Sequence, residues 1–252
     1  MVYNLIITES KNSTGIIRLN NGESNNALST LMLEEIVQAV DYFDNNDSIR
    51  SILFLGNGRF FTSGIDLREF GNNIDHLTEL LDRQKNAFVA LSEARKPLIA
   101  AAAGYALGQG IELLLNCDII LAADNLCLAV PDASLGIVPG IGLEKKLIES
   151  VGRAKTMEML LCGRAMMADE AERTGLVSRI VPLNELENEA LKTAEIIAKS
   201  PEFTAIALKE TLKAFENPSY NTGIDEAIMR AKIIAGSDDF RAYLKNFAQK
   251  QP

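Results

Sequence analysis

Several residue types on which common enzyme mechanisms depend are scarce in this sequence of 252 residues. It contains one histidine, His76, and no tryptophan. A Ser–His–Asp hydrolase or a metal site made of several histidines would have to rely on that single residue. Because His76 begins an amphipathic pattern, we expect it on the surface of a helix. The sequence therefore predicts neither a histidine-dependent hydrolase nor a metal site.

Cysteine is also rare, with three residues, Cys117, Cys127 and Cys162. Their number is odd and no two of them form a CxxC pair, so neither a disulfide framework nor a zinc ribbon is predicted. They are typical of small core residues in a reducing compartment. The segment MVYNLIITESK lacks a basic region followed by a long apolar run, so no secretory signal is expected. We therefore expect a cytoplasmic protein.

Positive charge is the scarcer sign, since 25 Lys and Arg residues face 34 Asp and Glu residues and the net charge is −9. Such a balance excludes a broad basic face, so no nucleic-acid partner is predicted. An anionic ligand would need a local group of cations and main-chain amides. The long apolar stretch 98–115 contains Gln109, Glu112 and several glycines, and we therefore predict no membrane span.

Apolar periodicity predicts alternating strands and helices as far as about residue 182. Strands are predicted at 14–20, 51–56, 96–104, 118–124, 125–131 and 175–182. Helices are predicted from Ser29, at 76–94, 108–115 and 153–162, around 186–197, and in the tail at 203–215, 224–235 and 240–247. This order predicts an α/β core of parallel crossover units, residues 1–199, followed by a helical region, residues 200–252.

Two turns rich in small residues connect a predicted strand to a predicted helix. They are RFFTSGIDLREF (59–70) and GYALGQGIEL (104–113). Unpaired main-chain amides at such turns, reinforced by the positive end of the helix dipole, suit an oxygen that carries negative charge. Neither turn matches GxxxxGK or GxGxxG. If the two turns meet, they form an oxyanion hole; if they do not, they are tight turns that need glycine.

Two carboxylates stand close to these features. Glu112 lies one turn into an apolar helix, where a carboxylate is costly to bury unless it is used or satisfied. Burial raises the pKa of such a group, and a helix N-terminus lowers it. Asp132 lies in VPDASLGIVPG (130–140), and its alternative role is that of a turn or capping residue. Together the two acids would permit general acid–base chemistry beside a carbonyl, but their spacing leaves open whether they meet.

These motifs resemble the crotonase, or enoyl-CoA hydratase/isomerase, superfamily over about residues 3–250. The matching stretches are NNALS (25–29), FTSGIDL (61–67), KPLIAAAAGYALGQGIELLLNCDIILAAD (96–124), PDASLGIVPGIG (131–142) and ADEAERTGLVSRIVP (168–182). The resemblance implies a spiral of ββα units. It also implies that the C-terminal helical region, 200–252, assembles the chain into trimers or dimers of trimers.

The resemblance implies an acyl-CoA thioester as the substrate and no cofactor beyond its coenzyme A moiety. The thioester oxygen would bind the main-chain N–H groups of Ile65 and Gln109. Glu112 would activate water for attack at C3, and Asp132 would handle the proton at C2. The residues expected to line the substrate and coenzyme A site are Ala27, Ile65, Asp66, Leu67, Arg68 and Gln109.

Three functions remain open at this point. Hydration of a trans-2-enoyl-CoA to a 3-hydroxyacyl-CoA is favoured because both acids are in place. Isomerisation of a Δ3 to a Δ2 double bond would need only one carboxylate to move a proton between C2 and C4. A thioester-binding protein with weak activity is the third, because Gln109 and Asp132 replace the glycine and glutamate that the family usually has, and because a fold alone does not make an enzyme.

Overall fold

A computed structural model describes residues 2–70, 75–139, 142–200 and 202–215, and the single positions 232, 238, 241 and 245. The described strands are β1 (Ile6–Lys11), β2 (Thr14–Leu19), β3 (Ser51–Leu55), β4 (Phe60–Thr62), β5 (Leu98–Ala102), β6 (Tyr105–Leu107), β7 (Ile119–Ala123), β8 (Cys127–Ala129), β9 (Met166–Met167) and β10 (Arg179–Val181). The described helices are α1 (Thr30–Asp44), α2 (Asp75–Ser92), α3 (Gln109–Leu115), α4 (Leu143–Cys162), α5 (Ala168–Thr174), α6 (Leu186–Ala198) and α7 (Glu202–Phe215).

These strands form two sheets that the chain visits alternately. The larger sheet has the order β1-β2-β3-β5-β7-β10, and the smaller has the order β4-β6-β8-β9. Pairing is parallel from β2 to β10 in the larger sheet and from β4 to β8 in the smaller. Each of β3, β5 and β7 is followed by a strand of the smaller sheet and then by a helix. The spiral of ββα units expected from the resemblance is therefore confirmed.

The strands of the larger sheet are covered on both faces. In β3, Ile52 and Phe54 belong to the core cluster that includes α1, whereas Leu53 and Leu55 belong to a second cluster that includes α6. All five residues of β3 are buried. A strand buried on both faces reads as a continuous apolar run, which is why SILFL was predictable from the sequence.

Most predicted helices and strands are present in the structure. The differences lie in the bounds of some elements and in strands that were not predicted. Helix α1 begins where predicted, because the Ser29 hydroxyl accepts the N–H of Met32 as an N-cap. Helix α4 begins ten residues before the predicted helix 153–162, and its two parts meet at Gly152, which has non-helical dihedral angles. The predicted strand 175–182 is shorter and includes only β10. The short strands β1, β4, β6 and β9 were not predicted.

The C-terminal part of the predicted division is only partly described. Helix α7 corresponds to the predicted helix 203–215, and Lys209 on it donates to an Asp118 carboxylate oxygen at 2.8 Å and to the Lys96 carbonyl oxygen at 3.1 Å. The predicted helices 224–235 and 240–247 lie outside the described residues except at positions 232, 241 and 245. The boundary between 1–199 and 200–252 therefore stays a prediction.

One glycine permits the turn that joins the larger sheet to the smaller one. Gly104 connects β5 to β6 with φ +65°, and a Cβ there would overlap the carbonyl group of Arg59, which precedes β4. The same carbonyl oxygen accepts the N–H of Tyr105 at 3.0 Å. The chain can therefore turn from one sheet to the other only without a side chain at this position.

We expect Gly104→Ala to lower the free energy of unfolding by about 3 kcal/mol or more, because steric overlap adds to the cost of the left-handed backbone. Gly175→Ala is the matched control, since Gly175 has φ +82° and ψ 9°, in the left-handed region, and nothing within 4 Å of an added Cβ. That control should lose only about 1–2 kcal/mol. Urea denaturation of the two variants checks this, and equal losses would contradict the steric argument.

Candidate active site

The two small-residue turns predicted to bind an oxyanion touch each other through their main chains. Gly64 has φ +86°, and a Cβ there would overlap the carbonyl oxygen of Leu107 and lie 3.7 Å from the main-chain nitrogen of Gln109. Gly64 follows β4, and Gln109 is the first residue of α3. Only glycine permits this approach at position 64. The structure thus brings Gly64, which precedes Ile65, against the main chain of Leu107 and Gln109.

The main-chain N–H groups of these two positions point away from regular pairing. Ile65 forms an isolated parallel bridge with Leu28, in which Leu28 uses the carbonyl oxygen of Gly64 and the N–H of Asp66. In such a bridge the N–H of Ile65 points to the opposite side. The N–H of Gln109 is among the first of a helix and has no acceptor within it. Both amides are therefore suited to donate to one bound oxygen.

Glu112 lies on the buried side of α3 with 1 % of its surface exposed. Its carboxylate accepts the N–H of Leu143 at the start of α4, while Oε1 has no hydrogen-bond partner among the described residues. Burial is the main cause that raises its pKa from 4.5 to about 7, with Lys146 lowering it and Glu144 raising it. A carboxyl group with this pKa can take or give a proton near neutral pH.

Asp132 lies at the beginning of a 3-10 turn, Asp132–Leu135, that follows β8. Its exposed fraction is 5 %, and burial raises its pKa from 3.8 to about 6. The position that a Cβ would take on Gly108 is 2.9 Å from Asp132 Oδ2 and 3.3 Å from Oδ1. The Asp132 carboxylate therefore lies against the residue that precedes Gln109. Two carboxyl groups, both with raised pKa values, flank the first turn of α3.

The side chain of Gln109 has a partner that the sequence did not reveal. Its Nε2 donates to Oε1 of Gln84 at 2.9 Å, and both side chains are buried. Gln84 lies on α2, on the face that also buries Leu81, Phe88 and Leu91. A glutamine at apolar helical spacing is the signal that would have identified it, because buried polar side chains need a specific partner.

The residues expected to bind coenzyme A lie next to one another. Segment 65–68 follows Gly64, and the bridge to Leu28 sets it beside Ala27, which is buried. Arg68 is exposed, and it donates from its Nη2 at 2.6 Å and from its Nε at 2.8 Å to the two carboxylate oxygens of Asp66. Burial raises the pKa of Asp66, but the hydrogen bonds from Arg68 outweigh it and the net pKa is lowered. Arg68 thus stands in an ion pair rather than as an isolated cation.

The part of the chain that the structure describes also bears on metal binding and on membrane insertion. Within it, no group of three or more His, Cys, Asp or Glu side chains could hold a metal ion. No helix in these residues has the length and apolar character to cross a membrane. Cys117, Cys127 and Cys162 are free thiols, and the side chain of His76 lies outside the described residues.

The raised pKa of Glu112 predicts a pH-dependent cost in stability. Its folded-state pKa, about 7, exceeds its ordinary value of 4.5, so the folded protein binds the proton more tightly than the unfolded chain. Below about pH 4.5 Glu112 is protonated in both the folded and the unfolded protein, so its burial carries no cost of ionisation. The free energy of unfolding then falls as the pH rises from about 4.5 to about 7. We therefore expect Glu112→Gln to raise the free energy of unfolding by on the order of 3 kcal/mol at pH 8, and by much less at pH 4.5.

Urea denaturation of both proteins at these two pH values measures that difference. Asp132→Asn is the matched comparison, and it should stabilise in the same direction and by a similar amount, because burial raises the pKa of Asp132 from 3.8 to about 6. A Glu112→Gln effect that is the same at pH 4.5 and pH 8 would show that ionising Glu112 in the folded protein is not costly.

Comparison with known proteins places this site in a family. The family model described as enoyl-CoA hydratase/isomerase matches residues 9–252. A probable mitochondrial enoyl-CoA hydratase of Dictyostelium discoideum is 40 % identical over 225 residues, which covers 88 % of this chain and 78 % of that protein. A probable enoyl-CoA hydratase of Mycobacterium leprae is 37 % identical over 256 residues, covering 100 % of this chain and 97 % of that protein.

Solved structures agree with the sequence relatives. An enoyl-CoA hydratase/isomerase from Xanthobacter autotrophicus Py2 superposes with a TM-score of 0.90 at 28 % identity and covers 99 % of this chain and 94 % of that one. An enoyl-CoA hydratase subunit from Geobacillus kaustophilus HTA426 gives a TM-score of 0.81 at 33 % identity, over 99 % and 97 % of the two chains. The chain therefore belongs to the enoyl-CoA hydratase/isomerase family, the crotonase superfamily that its motifs predicted.

Proposed function

We propose that this protein is an enoyl-CoA hydratase, which adds water across the 2,3 double bond of a trans-2-enoyl-CoA to give a 3-hydroxyacyl-CoA. The observation that carries the proposal is the pair of buried carboxyl groups, Glu112 and Asp132, at the start of the helix whose first residue is Gln109. Relatives named enoyl-CoA hydratase, at 37–40 % identity over most of the chain, support the same activity.

In the proposed reaction the thioester oxygen accepts hydrogen bonds from the N–H groups of Ile65 and Gln109. Attack at C3 moves electron density onto that oxygen, so the two amides stabilise the enolate-like transition state more than the substrate. One preorganised donor of this kind contributes about 3–4 kcal/mol where it has been removed by mutation. The contact at Gly64 supports the proposal because it holds the two turns in fixed positions.

The two acids divide the proton transfers. Glu112 takes a proton from water as the water oxygen bonds to C3, and Asp132 gives a proton to C2. Loss of a proton from Glu112 to solvent and uptake of one by Asp132 restore both acids, so the sum is the addition of one water molecule. Oε1 of Glu112, which has no partner among the described residues, supports the first role. With pKa values of about 7 and about 6, the pair holds roughly one proton between these pH values. The form productive for hydration carries that proton on Asp132, and because the pKa of Glu112 is the higher of the two, this is the less populated form.

Isomerisation of a Δ3-enoyl-CoA is the alternative within the family. It needs one carboxyl group that reaches both C2 and C4 and no activated water. The presence of two buried carboxyl groups, Glu112 within α3 and Asp132 against Gly108 just before it, favours hydration. We propose no cofactor beyond the coenzyme A moiety of the substrate. We also propose a cytoplasmic location, supported by the free thiols.

We expect Glu112→Gln and Asp132→Asn each to lower kcat for crotonyl-CoA hydration by about 10²- to 10⁴-fold, because each removes one proton-transfer group without changing the shape of the site. The dissociation constant for butyryl-CoA, a saturated thioester, should change less than about threefold, since binding uses the main-chain amides. Loss of the enoyl-thioester absorbance measures the rate, and calorimetry measures binding.

The pattern across the two variants distinguishes the functions. A hydratase loses turnover in both variants, whereas an isomerase would lose conversion of a Δ3-enoyl-CoA in only one of them. Full hydration activity in Glu112→Gln would remove Glu112 from the mechanism. Tight binding of butyryl-CoA by the unmodified protein without turnover of any enoyl-CoA would favour the thioester-binding alternative.

We further propose that the chain forms a trimer or a dimer of trimers. Helix α7 supports this because Leu208 and Leu212, one turn apart, are 62 % and 68 % exposed in the single chain. Lys209 fixes the other side of α7 to the core through Asp118. Exposed large apolar side chains at i and i+4 on an anchored helix are typical of an interface.

Light scattering at micromolar concentration tests the assembly. We expect a mass near three or six times the 27.5 kDa of one chain. Leu208→Glu with Leu212→Glu should lower that mass, because two charges would then have to be desolvated at the interface. A monomeric unmodified protein at this concentration would contradict the proposal.

A further inference from the structure

The triplet Gly108–Gln109–Gly110 has space for a side chain only at its middle position. The Cβ position of Gly108 is 2.9 Å from Asp132 Oδ2, and that of Gly110 is 2.5 Å from Thr62 Cγ2. Gln109 therefore carries the only side chain of the three, and its own main-chain N–H is the proposed thioester donor. The Gln109 side chain is long and polar and begins next to this N–H group, so it must lie away from the position of the bound oxygen.

The structure places it between α2 and α3. Gln109 Nε2 donates to Gln84 Oε1 at 2.9 Å across 25 residues of sequence. Gln84 has no exposed surface, and Gln109 is 6 % exposed. Because Gln84 lies on the apolar face of α2, its amide oxygen is a buried acceptor that holds the Gln109 side chain between the two helices.

We propose that Gln84 is a positioning residue for thioester binding, which acts by holding the Gln109 side chain in the interior and so keeps the space over the Gln109 N–H open. This inference rests on the proposed function, since it concerns the same thioester site. Gln84 itself touches neither the substrate nor the reacting atoms in this scheme. It acts through Gln109.

The hold on Gln109 depends on one hydrogen bond. Gln84 Nε2 and Gln109 Oε1 are buried and have no partner among the described residues. Exchanging the amide oxygen and nitrogen of both side chains leaves the same situation, with one bond made and one donor and one acceptor unpaired. Removing the Gln84 amide would leave the whole Gln109 amide buried without a partner.

The displaced side chain then has a defined place to go. Buried amides seek hydrogen-bond partners, and the free main-chain N–H groups of Ile65 and Gln109 lie at the other end of the same residue. A Gln109 side chain that turns toward them would occupy the space meant for the thioester oxygen. We therefore expect loss of Gln84 to weaken substrate binding and turnover together, without a change in the acids at 112 and 132.

A double-mutant comparison tests this with Gln84→Met in two backgrounds, the unmodified chain and Gln109→Ala. Methionine keeps the length of the side chain and removes its amide; Gln84→Leu serves the same comparison if the methionine variant does not fold. We expect Gln84→Met to lower kcat/KM for crotonyl-CoA and to weaken butyryl-CoA binding by about tenfold in the unmodified chain. In the Gln109→Ala background the same change should alter either quantity less than about twofold.

Two results would overturn the inference. Gln84→Met could lower kcat/KM by the same factor in both backgrounds, which would mean that Gln84 acts by packing α2 rather than through Gln109. Alternatively, it could leave kcat/KM and butyryl-CoA binding unchanged in the unmodified chain. The measurement of butyryl-CoA binding separates this inference from the hydratase proposal. If the unmodified protein binds butyryl-CoA but hydrates no enoyl-CoA, the hydratase proposal is wrong. The role of Gln84 is then still decided by the dissociation constants of the variants.

Discussion

The main-chain contact between Gly64 and the Leu107–Gln109 turn is the constraint on which the rest of the site depends. It joins the end of β4 to the beginning of α3, and the parallel pairing of β4 with β6 holds both turns at one edge of the smaller sheet. Once this contact exists, the next N–H on each strand-to-helix turn lies outside regular hydrogen bonding. In the proposed function these two N–H groups bind one thioester oxygen, so side chains have only to leave that position free or to do chemistry beside it.

The acids illustrate how the fold exchanges stability for reactivity. Glu112 lies in a helix whose side chains are apolar apart from Gln109 and Glu112 itself, and burial moves the pKa of Glu112 toward neutral pH. The same burial opposes folding whenever the group is ionised. Such a group persists only where the surrounding structure holds it in place. Here α3 packs into the main hydrophobic core, and the N–H of Leu143 donates to the carboxylate. Strained or costly groups held by a rigid scaffold are typical of functional sites.

The sequence predicted the α/β core of parallel units because β3, β5 and β7 are continuous apolar runs, whereas the spiral of ββα units was expected from the family resemblance. It did not predict β4 and β6, since three-residue strands are too short to show a period. For the same reason the approach of Asp132 to α3 could not be derived from spacing: it depends on the pairing of β6 with β8. Gln84 was missed because its place at an apolar helical spacing indicates a buried polar partner but does not say which residue that partner is. The roles of the residues expected from the resemblance stay predictions.

In the proposed function two main-chain amides donate hydrogen bonds to one thioester oxygen, and the infrared spectrum of a bound thioester tests this most directly. Butyryl-CoA labelled with ¹³C at the thioester carbonyl would be measured at saturating protein, with binding verified by calorimetry. The account predicts that the carbonyl stretch moves to lower frequency than in water, because preorganised donors weaken the C=O bond more than mobile water does. A bound thioester whose carbonyl stretch stays at or above its frequency in water would contradict it.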